Sequence, residues 1–214
     1  MPSPSYTTHM LHAWRLIIAF ALAGLVLALG FSFIEPLKYS STVKLLILQD
    51  TGAATDAYTA SRSEERIAEN LTTFIYTTTF FDQVLDAGFS IDPRHFPAQD
   101  NQRRRAWEKT VDATVARGAG LLTVTAYHQD IRQAEQLARA IAFVLTKKVG
   151  DFTSGGNVQV RLIDAPLNSR WPVKPNLLAN GLTGFFLAGL IGAGYVLLRA
   201  EQLKRRHQMV HEDL

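Results

Sequence analysis

Hydrophobic residues concentrate in two long uncharged runs, one near each end of the chain, and apolar and polar residues alternate between them. The runs span residues 16–34 and 177–198. Each approaches the roughly 20 residues that a helix needs to cross a hydrocarbon core about 30 Å thick. The pattern therefore predicts two transmembrane helices with one larger domain between them, at residues 35–165.

The first run is predicted to be a permanent anchor and not a cleaved signal peptide. It is longer than the usual signal core of about 7–15 apolar residues. Residues 31–35 read Phe-Ser-Phe-Ile-Glu, which contains no A-x-A-like cleavage site. Trp14, just before the run, suits the membrane interface.

Basic residues lie on the outer flank of each run. Arg15 precedes the first run, and the second is followed by Arg199, Lys204, Arg205 and Arg206. The positive-inside rule therefore predicts that residues 1–15 and 199–214 are cytoplasmic and that residues 35–176 are extracytoplasmic. The basic tail is also suited to anionic lipid, although topology alone accounts for it.

Small residues recur at four-residue spacing in both runs. The pairs and triplets are Gly24 and Ala28, Gly184 with Ala188 and Gly192, and Gly189 with Ala193. Such faces let helix backbones approach closely in lipid, which favours self-association into a homo-oligomer. The alternative is that Gly and Ala are simply common in membrane helices.

The central segment shows the periodicity of four strands and two main helices. Strands are predicted at residues 41–48, 111–116, 121–127 and 158–163. Ser61 and Glu64 resemble a capping box that starts the first helix, and Asp130 is predicted to cap the second. The second helix carries an apolar stripe of Ala134, Leu137, Ala138, Ile141, Val144 and Leu145.

Shorter elements complete the pattern. Two short helices are predicted, one after Thr79 at residues 80–85 and one at residues 102–109, with loops at residues 52–58, 88–101 and 153–156. The order β-α-β-β-α-β is that of a split βαβ, ferredoxin-like α+β domain. In the strand order 4-1-3-2 the first and last strands are antiparallel neighbours, and both anchors would leave the same edge of the domain.

Composition limits the chemistry of this domain. The chain of 214 residues has no cysteine, so it has neither disulfides nor a thiol nucleophile, and an ordinary core must hold it together. Its formal net charge of +3 is modest and lies partly in the tail, which does not indicate nucleic-acid binding.

Catalytic motifs are missing from the sequence. It contains neither a P-loop nor an H-E-x-x-H zinc motif. His95 and His128 are interpreted as separate loop residues without a carboxylate at metal-ligand spacing. Ser61 and Ser63, beside Glu64 and Glu65, resemble a helix cap more than a nucleophile with its base. We therefore expect no enzyme activity, no cofactor and no metal site.

One basic cluster in the central segment has two possible interpretations. Arg103, Arg104 and Arg105, with Trp107 beside them, could contact an anionic glycan, with the indole stacking on a sugar. More often such a run is a solvated helix face, and such a tryptophan belongs to a core.

A proline-rich segment precedes the second hydrophobic run. Residues 166–176 contain Pro166, Pro172 and Pro175 and end at Asn176. Because proline fixes φ and favours an extended chain, the segment is predicted to be a stiff strut between the last strand and the second anchor.

These features together resemble the polysaccharide co-polymerase, or chain-length determinant (Wzz-like), family. The resemblance rests on the strand that begins at Tyr39, the helix at residues 134–142 after a strand, and the proline stretch before a Gly-rich second span. It implies homo-oligomers that regulate the chain length or export of a surface polysaccharide (O-antigen and so lipopolysaccharide, capsule or exopolysaccharide) without catalysis. A polysaccharide polymerase or exporter is the implied partner.

Two alternatives stay open. The chain is similar to short forms without a fused kinase, which act as adaptors for a separate cytoplasmic tyrosine kinase, although residues 200–214 contain no tyrosine. The other alternative is a sensory domain whose anchors relay ligand binding.

Overall fold

A computed structural model describes residues 13–49, 56–151 and 158–212 of the chain. The chain divides into two compact units: Met1–Pro36 with Lys174–Leu214, and Leu37–Val173. Most of the predicted cytoplasmic N-terminus, most of the predicted loop at 52–58 and the predicted turn at 153–156 lie outside the described residues.

The elements follow one another in chain order. The helices are α1 (Trp14–Ser32), α2 (Ala57–Ile75), α3 (Thr78–Leu85), α4 (Asp100–Thr110), α5 (Ile131–Lys147) and α6 (Leu177–Glu212). The strands are β1 (Tyr39–Gln49), β2 (Val111–Val115), β3 (Leu121–His128) and β4 (Val158–Asn168). Short 3-10 helices lie at Pro93–His95 and Val149–Asp151.

The first unit contains two helices that are long and apolar enough to cross a membrane. Their apolar parts are Trp14–Ser32, with mean hydropathy 2.2, and Leu177–Gln202, with mean hydropathy 1.8. The second helix extends past the apolar run that ends at residue 198 and continues to Glu212. The residues after 198 are mostly strong helix formers without Gly or Pro, so nothing local ends the helix.

The second unit is a mixed α+β domain with a four-stranded antiparallel sheet. The strand order is β2-β3-β1-β4. β1 is antiparallel to both β3 and β4, so the first and last strands are neighbours, as expected. The β2–β3 hairpin turns at Gly118, whose φ of 71° is a conformation that favours glycine.

The core lies between the sheet and the helices of this unit. Val43, Leu45 and Ile47 alternate along β1 and are fully buried. All six residues of the predicted α5 stripe are buried, and Asp130 caps that helix by accepting a hydrogen bond from the Arg132 N–H. Both predictions for α5 are therefore confirmed.

The predicted starts of α2 and α3 are wrong. Asp56 caps α2, because its carboxylate accepts a 2.8 Å hydrogen bond from the Thr59 N–H. Ser61 lies within the helix, and its hydroxyl donates to the Gly118 carbonyl across the domain. Helix α3 is capped by Thr77 and not by Thr79.

The last strand is longer than predicted, and the prediction of a strut from residue 166 is corrected accordingly. β4 continues through Pro166 to Asn168, with a bulge that places Asp164 opposite Lys44 and Leu162 opposite Leu45. An edge strand tolerates proline because one side of its backbone has no partner strand. Pro166 thus belongs to the sheet and not to a connector.

The two chain ends of this domain are held together beyond the strands. The Ser169 N–H donates to the Ser40 carbonyl at 2.8 Å, and the Val173 N–H donates to the Lys38 carbonyl at 2.8 Å. The segment after β4 is therefore fastened to the start of β1.

Candidate functional site

The two apolar helices pack through their small residues. A Cβ added at Gly184 would lie 2.7 Å from the Gly24 carbonyl oxygen, and one at Gly24 would lie 2.5 Å from the Gly184 carbonyl oxygen. Only glycine allows backbones this close. The face predicted for contact between copies, formed by Gly184, Ala188 and Gly192, therefore lies against α1 of the same chain. Gly189, by contrast, is in ordinary contact distance of Ala21, and Ala193 is half-buried.

Polar side chains meet at one end of this helix pair. The Asn180 amide donates to Ser32 Oγ at 2.8 Å, and that hydroxyl donates to the Ala28 carbonyl at 2.9 Å. Asn176 caps α6, since its side-chain oxygen accepts a hydrogen bond from the Ala179 N–H. Beside these residues is an open cavity of about 460 Å³ whose lining includes Glu35, Pro175 and Thr183.

A second cavity lies in the α+β domain, between α5 and β4. It has a volume of about 390 Å³ and is lined by Phe89, Arg139, Ala142, Phe143, Thr146, Lys147, Leu162, Ala165 and Pro166. We call it the apolar groove. Pockets that are mostly apolar with a few polar groups are typical ligand sites. Arg139 is held in an ion pair with Glu135 at 2.6 Å.

The possible glycan contact does not form one surface. Trp107 is 1% exposed, packs on Phe81, and donates from Nε1 to the Ile75 carbonyl at 2.8 Å. It is therefore a core residue and cannot stack on a sugar. Arg103 lies over the Phe81 ring and pairs with Asp100 at 2.7 Å.

The rest of the arginine run is solvated. Arg104 pairs with Glu108 at 3.5 Å, and both Arg104 and Arg105 are exposed. The three guanidinium groups thus have different surroundings, which weakens the case for a shared anion site on α4.

The two histidines of this domain are in contact, which contradicts their interpretation as separate loop residues. The ring centroids of His95 and His128 are 4.3 Å apart. The Asp130 N–H donates to His128 Nδ1 at 2.9 Å. Burial lowers the pKa of both imidazoles, and for His95 the neighbouring His128 and Lys38 charges act in the same direction.

Among the residues that the structure describes, no three His, Cys, Asp or Glu side chains converge in a way that could hold a metal ion. The Ser61 hydroxyl donates a hydrogen bond to the Gly118 carbonyl, and the Ser63 hydroxyl donates one to the Gln49 side-chain oxygen. Both serines tie α2 to neighbouring backbone and sheet.

Comparison with protein-family models and with curated proteins finds no match. The function of this chain must therefore be argued from its own residues.

Sequence reasoning missed the apolar groove and the histidine pair. The groove depends on Leu162 and Ala165 sharing a face on either side of a bulge, which periodicity does not reveal. In the sequence an aspartate lies close to each histidine, Asp92 near His95 and Asp130 near His128. This was the only sequence signal of the pair, and both aspartates serve as helix caps.

Proposed function

We propose that this chain is a non-enzymatic regulator of surface-polysaccharide chain length or export, anchored in the inner membrane by α1 and α6. In this proposal residues 35–176 are extracytoplasmic and form a split βαβ domain. The observation that supports it most is the pairing of two membrane-length helices with an α+β domain inserted between them in the chain. The proposal that a polysaccharide is involved comes from the resemblance to chain-length determinants.

The inserted domain is built to be held at both ends. Its first and last strands are antiparallel neighbours, and the Val173 N–H to Lys38 carbonyl bond closes the pair where the chain enters and leaves. A domain attached in this way suits a protein that acts by binding and positioning partners. The apolar groove offers a binding surface for that purpose.

Self-association is part of the proposal, but through a different surface from the one the sequence indicated. Because α1 covers the Gly184 face, copies would meet through other surfaces. Outward-facing apolar residues of the helices are available, among them Val26, Phe31, Phe186 and Leu190.

A deletion strain of the source organism tests the proposal. The chain is removed and restored at matched protein level, and surface polysaccharide is compared by its length distribution on gels. We expect loss of the normal length distribution, or of export, on deletion and its recovery on complementation. Unchanged polysaccharide after deletion, with the protein shown to be expressed in the parent, would overturn the proposal.

A second candidate is an adaptor for a separate cytoplasmic tyrosine kinase. The observation that favours it is the continuation of α6 as a helix from its apolar part to Glu212. A helix that extends beyond the membrane can present residues to a partner. Removing residues 203–214 should abolish kinase activation while leaving membrane insertion intact; unaltered tyrosine phosphorylation in the cell would exclude this candidate.

A further inference from the structure

The segment at residues 88–96, between α3 and α4, is fastened to α5 and to the end of β3. Phe96 anchors the end of the segment in the core, where its ring packs on Phe81 and Trp107. Three further contacts hold the rest: the Phe89 ring packs edge-on against Phe143 at 5.8 Å, the Gln133 side chain accepts from the Asp92 N–H and donates to the Ser90 carbonyl at 2.9 and 3.1 Å, and His95 lies against His128. Of these contacts, the histidine pair is the one that can change its charge near neutral pH.

The hydrogen bond to His128 requires a neutral ring. The Asp130 N–H donates to Nδ1, so this nitrogen must carry a lone pair and the ring proton must be on Nε2. Protonation would place a second N–H at Nδ1, pointing at the N–H of Asp130. Since Asp130 is also the cap of α5, the bond would be lost at the start of that helix.

The surroundings of the pair compensate added positive charge poorly. From the start of β1 come Lys38, a third cation, and Tyr39, the cross-strand partner of His128. From the segment itself comes Asp92, whose carboxylate is already paired with Arg94 at 3.1 Å. From α5 comes Asp130, whose carboxylate accepts from the Arg132 N–H. Two imidazolium rings at this separation would repel each other.

We propose that His95 and His128 form an acid-responsive latch, which holds residues 88–96 against α5 when the rings are neutral and releases the segment when both are protonated. Release would move Phe89, which forms part of the wall of the apolar groove. Acid would therefore open the groove on that side. The latch depends on the fold of this domain and not on the proposed role in polysaccharide assembly.

Hydrogen–deuterium exchange on the full-length protein in lipid nanodiscs tests the latch. Exchange of peptides covering residues 88–96 is compared at about pH 8 and about pH 5, the range in which histidine titrates, after correction for intrinsic rates. We expect exchange of this segment to be faster in acid. For each histidine, the increase should be about tenfold for every unit by which its pKa is lower in the held segment than in the released one. Peptides from residues 43–49 of β1, of which residues 43–46 pair with residues 121–124 of β3 away from His128, serve as an internal reference and should not change.

The matched variant is His95→Phe with His128→Asn. Phenylalanine keeps a ring against residue 128, and the asparagine oxygen can accept from the Asp130 N–H, but neither residue titrates. Protection of residues 88–96 should then be the same at both pH values. Equal protection of the wild-type segment at both pH values would overturn the latch, and so would an unchanged acid response in the variant.

A direct measurement covers the case in which the variant does not fold. The two imidazole Cε1–H resonances of the wild-type protein are followed by NMR against pH, with the N-terminal and tail histidines replaced. We expect both rings to titrate with a pKa below the ordinary value of 6.5, together with shifts in the Gln133 side-chain amide. Titration at the ordinary value with no change at Gln133 would refute the proposal.

Discussion

The side-chain amide of Asn180 donates a 2.8 Å hydrogen bond to Ser32 Oγ, so the two apolar helices share a polar contact as well as a close backbone approach. In the proposed membrane setting an unpaired amide would be costly, so a partner on the facing helix would stabilise the pair. The bond therefore helps to set the register of α1 against α6.

Replacing Asn180 with leucine should weaken the helix pair modestly. Hydrogen bonds between membrane helices contribute about 0.6 kcal/mol on average and at most about 2 kcal/mol. Unfolding in mixed micelles of increasing dodecyl sulfate measures the loss. Leu178→Ala, at a side chain that is 75% exposed, is the matched control and should have a smaller effect.

A disulfide can report the contact between the helices within one chain. A Cβ built at Gly189 lies 3.5 Å from Ala21 Cβ, which is within the range of disulfide geometry. Because the chain has no cysteine, the double variant Ala21→Cys with Gly189→Cys introduces the only thiols. Oxidation should give a cross-linked monomer. A dimer as the main product would mean that the helices pair between copies.

Gly184→Leu should prevent that intramolecular cross-link, because no side chain fits between Gly184 and the Gly24 carbonyl. Gly194→Leu is the control, since a Cβ at Gly194 has no atom within 4 Å. The yield of cross-linked monomer in the two backgrounds is the measurement. Equal yields would show that the close contact of Gly24 and Gly184 is not required for pairing.

Trp107→Phe should destabilise the α+β domain without affecting any glycan binding. The change leaves the Ile75 carbonyl without its buried donor, which costs about 1–3 kcal/mol, and it also leaves a void. Thermal unfolding followed by circular dichroism measures the loss. Arg105→Ala, on the exposed face of the same helix, should leave stability within about 0.5 kcal/mol.

Glu135 should contribute stability that disappears in acid. Hydrogen bonds from Asn168 and Arg139 lower the pKa of this carboxyl below its ordinary value of 4.5. The unfolded chain then binds the proton more readily, so the contribution is present above about pH 4.5 and is lost as the pH falls through the lower, folded-state pKa. It is expected to be a few tenths of a kcal/mol, as for other exposed pairs.

The variant Glu135→Gln measures this contribution. The difference in unfolding free energy between wild type and variant should be greatest near neutral pH and should vanish at low pH. Protonation of His95 and His128 begins to affect the free energy of unfolding near pH 6.5, whereas protonation of Glu135 begins to affect it near pH 4.5. The two contributions can therefore be separated by their pH midpoints. A difference that stays constant with pH would show that charge is not involved.

Elements with strong periodicity could be predicted from the sequence, and their ends could not. The α5 stripe and the alternation of β1 follow directly from the spacing of apolar residues. The start of α2 was missed because Asp56 and Ser61 both resemble caps, and only tertiary structure gives the Ser61 hydroxyl a different acceptor at Gly118. The end of β4 was missed because Pro166 resembles a strand terminator, whereas on an edge it is tolerated.

The candidate sites were harder to predict because they depend on contacts between distant residues. Gly24 and Gly184 each showed a small-residue pattern, but the pattern does not say which helix lies opposite. His95 and His128 come together only because residues 88–96 fold back onto α5. Trp107 had two interpretations, and its burial under Phe81 and Phe96 decides for the core.

The bond between the Val173 N–H and the Lys38 carbonyl has a mechanical consequence. Force applied to the two ends of the α+β domain enters at the start of β1 and the end of β4, which are adjacent antiparallel strands. Force in this direction breaks the hydrogen bonds between β1 and β4 one after another, and does not load them all at once in shear. Tension would therefore first part residues 38 and 173 and then peel β4 from the edge, while β1 stays paired with β3 in the interior of the sheet.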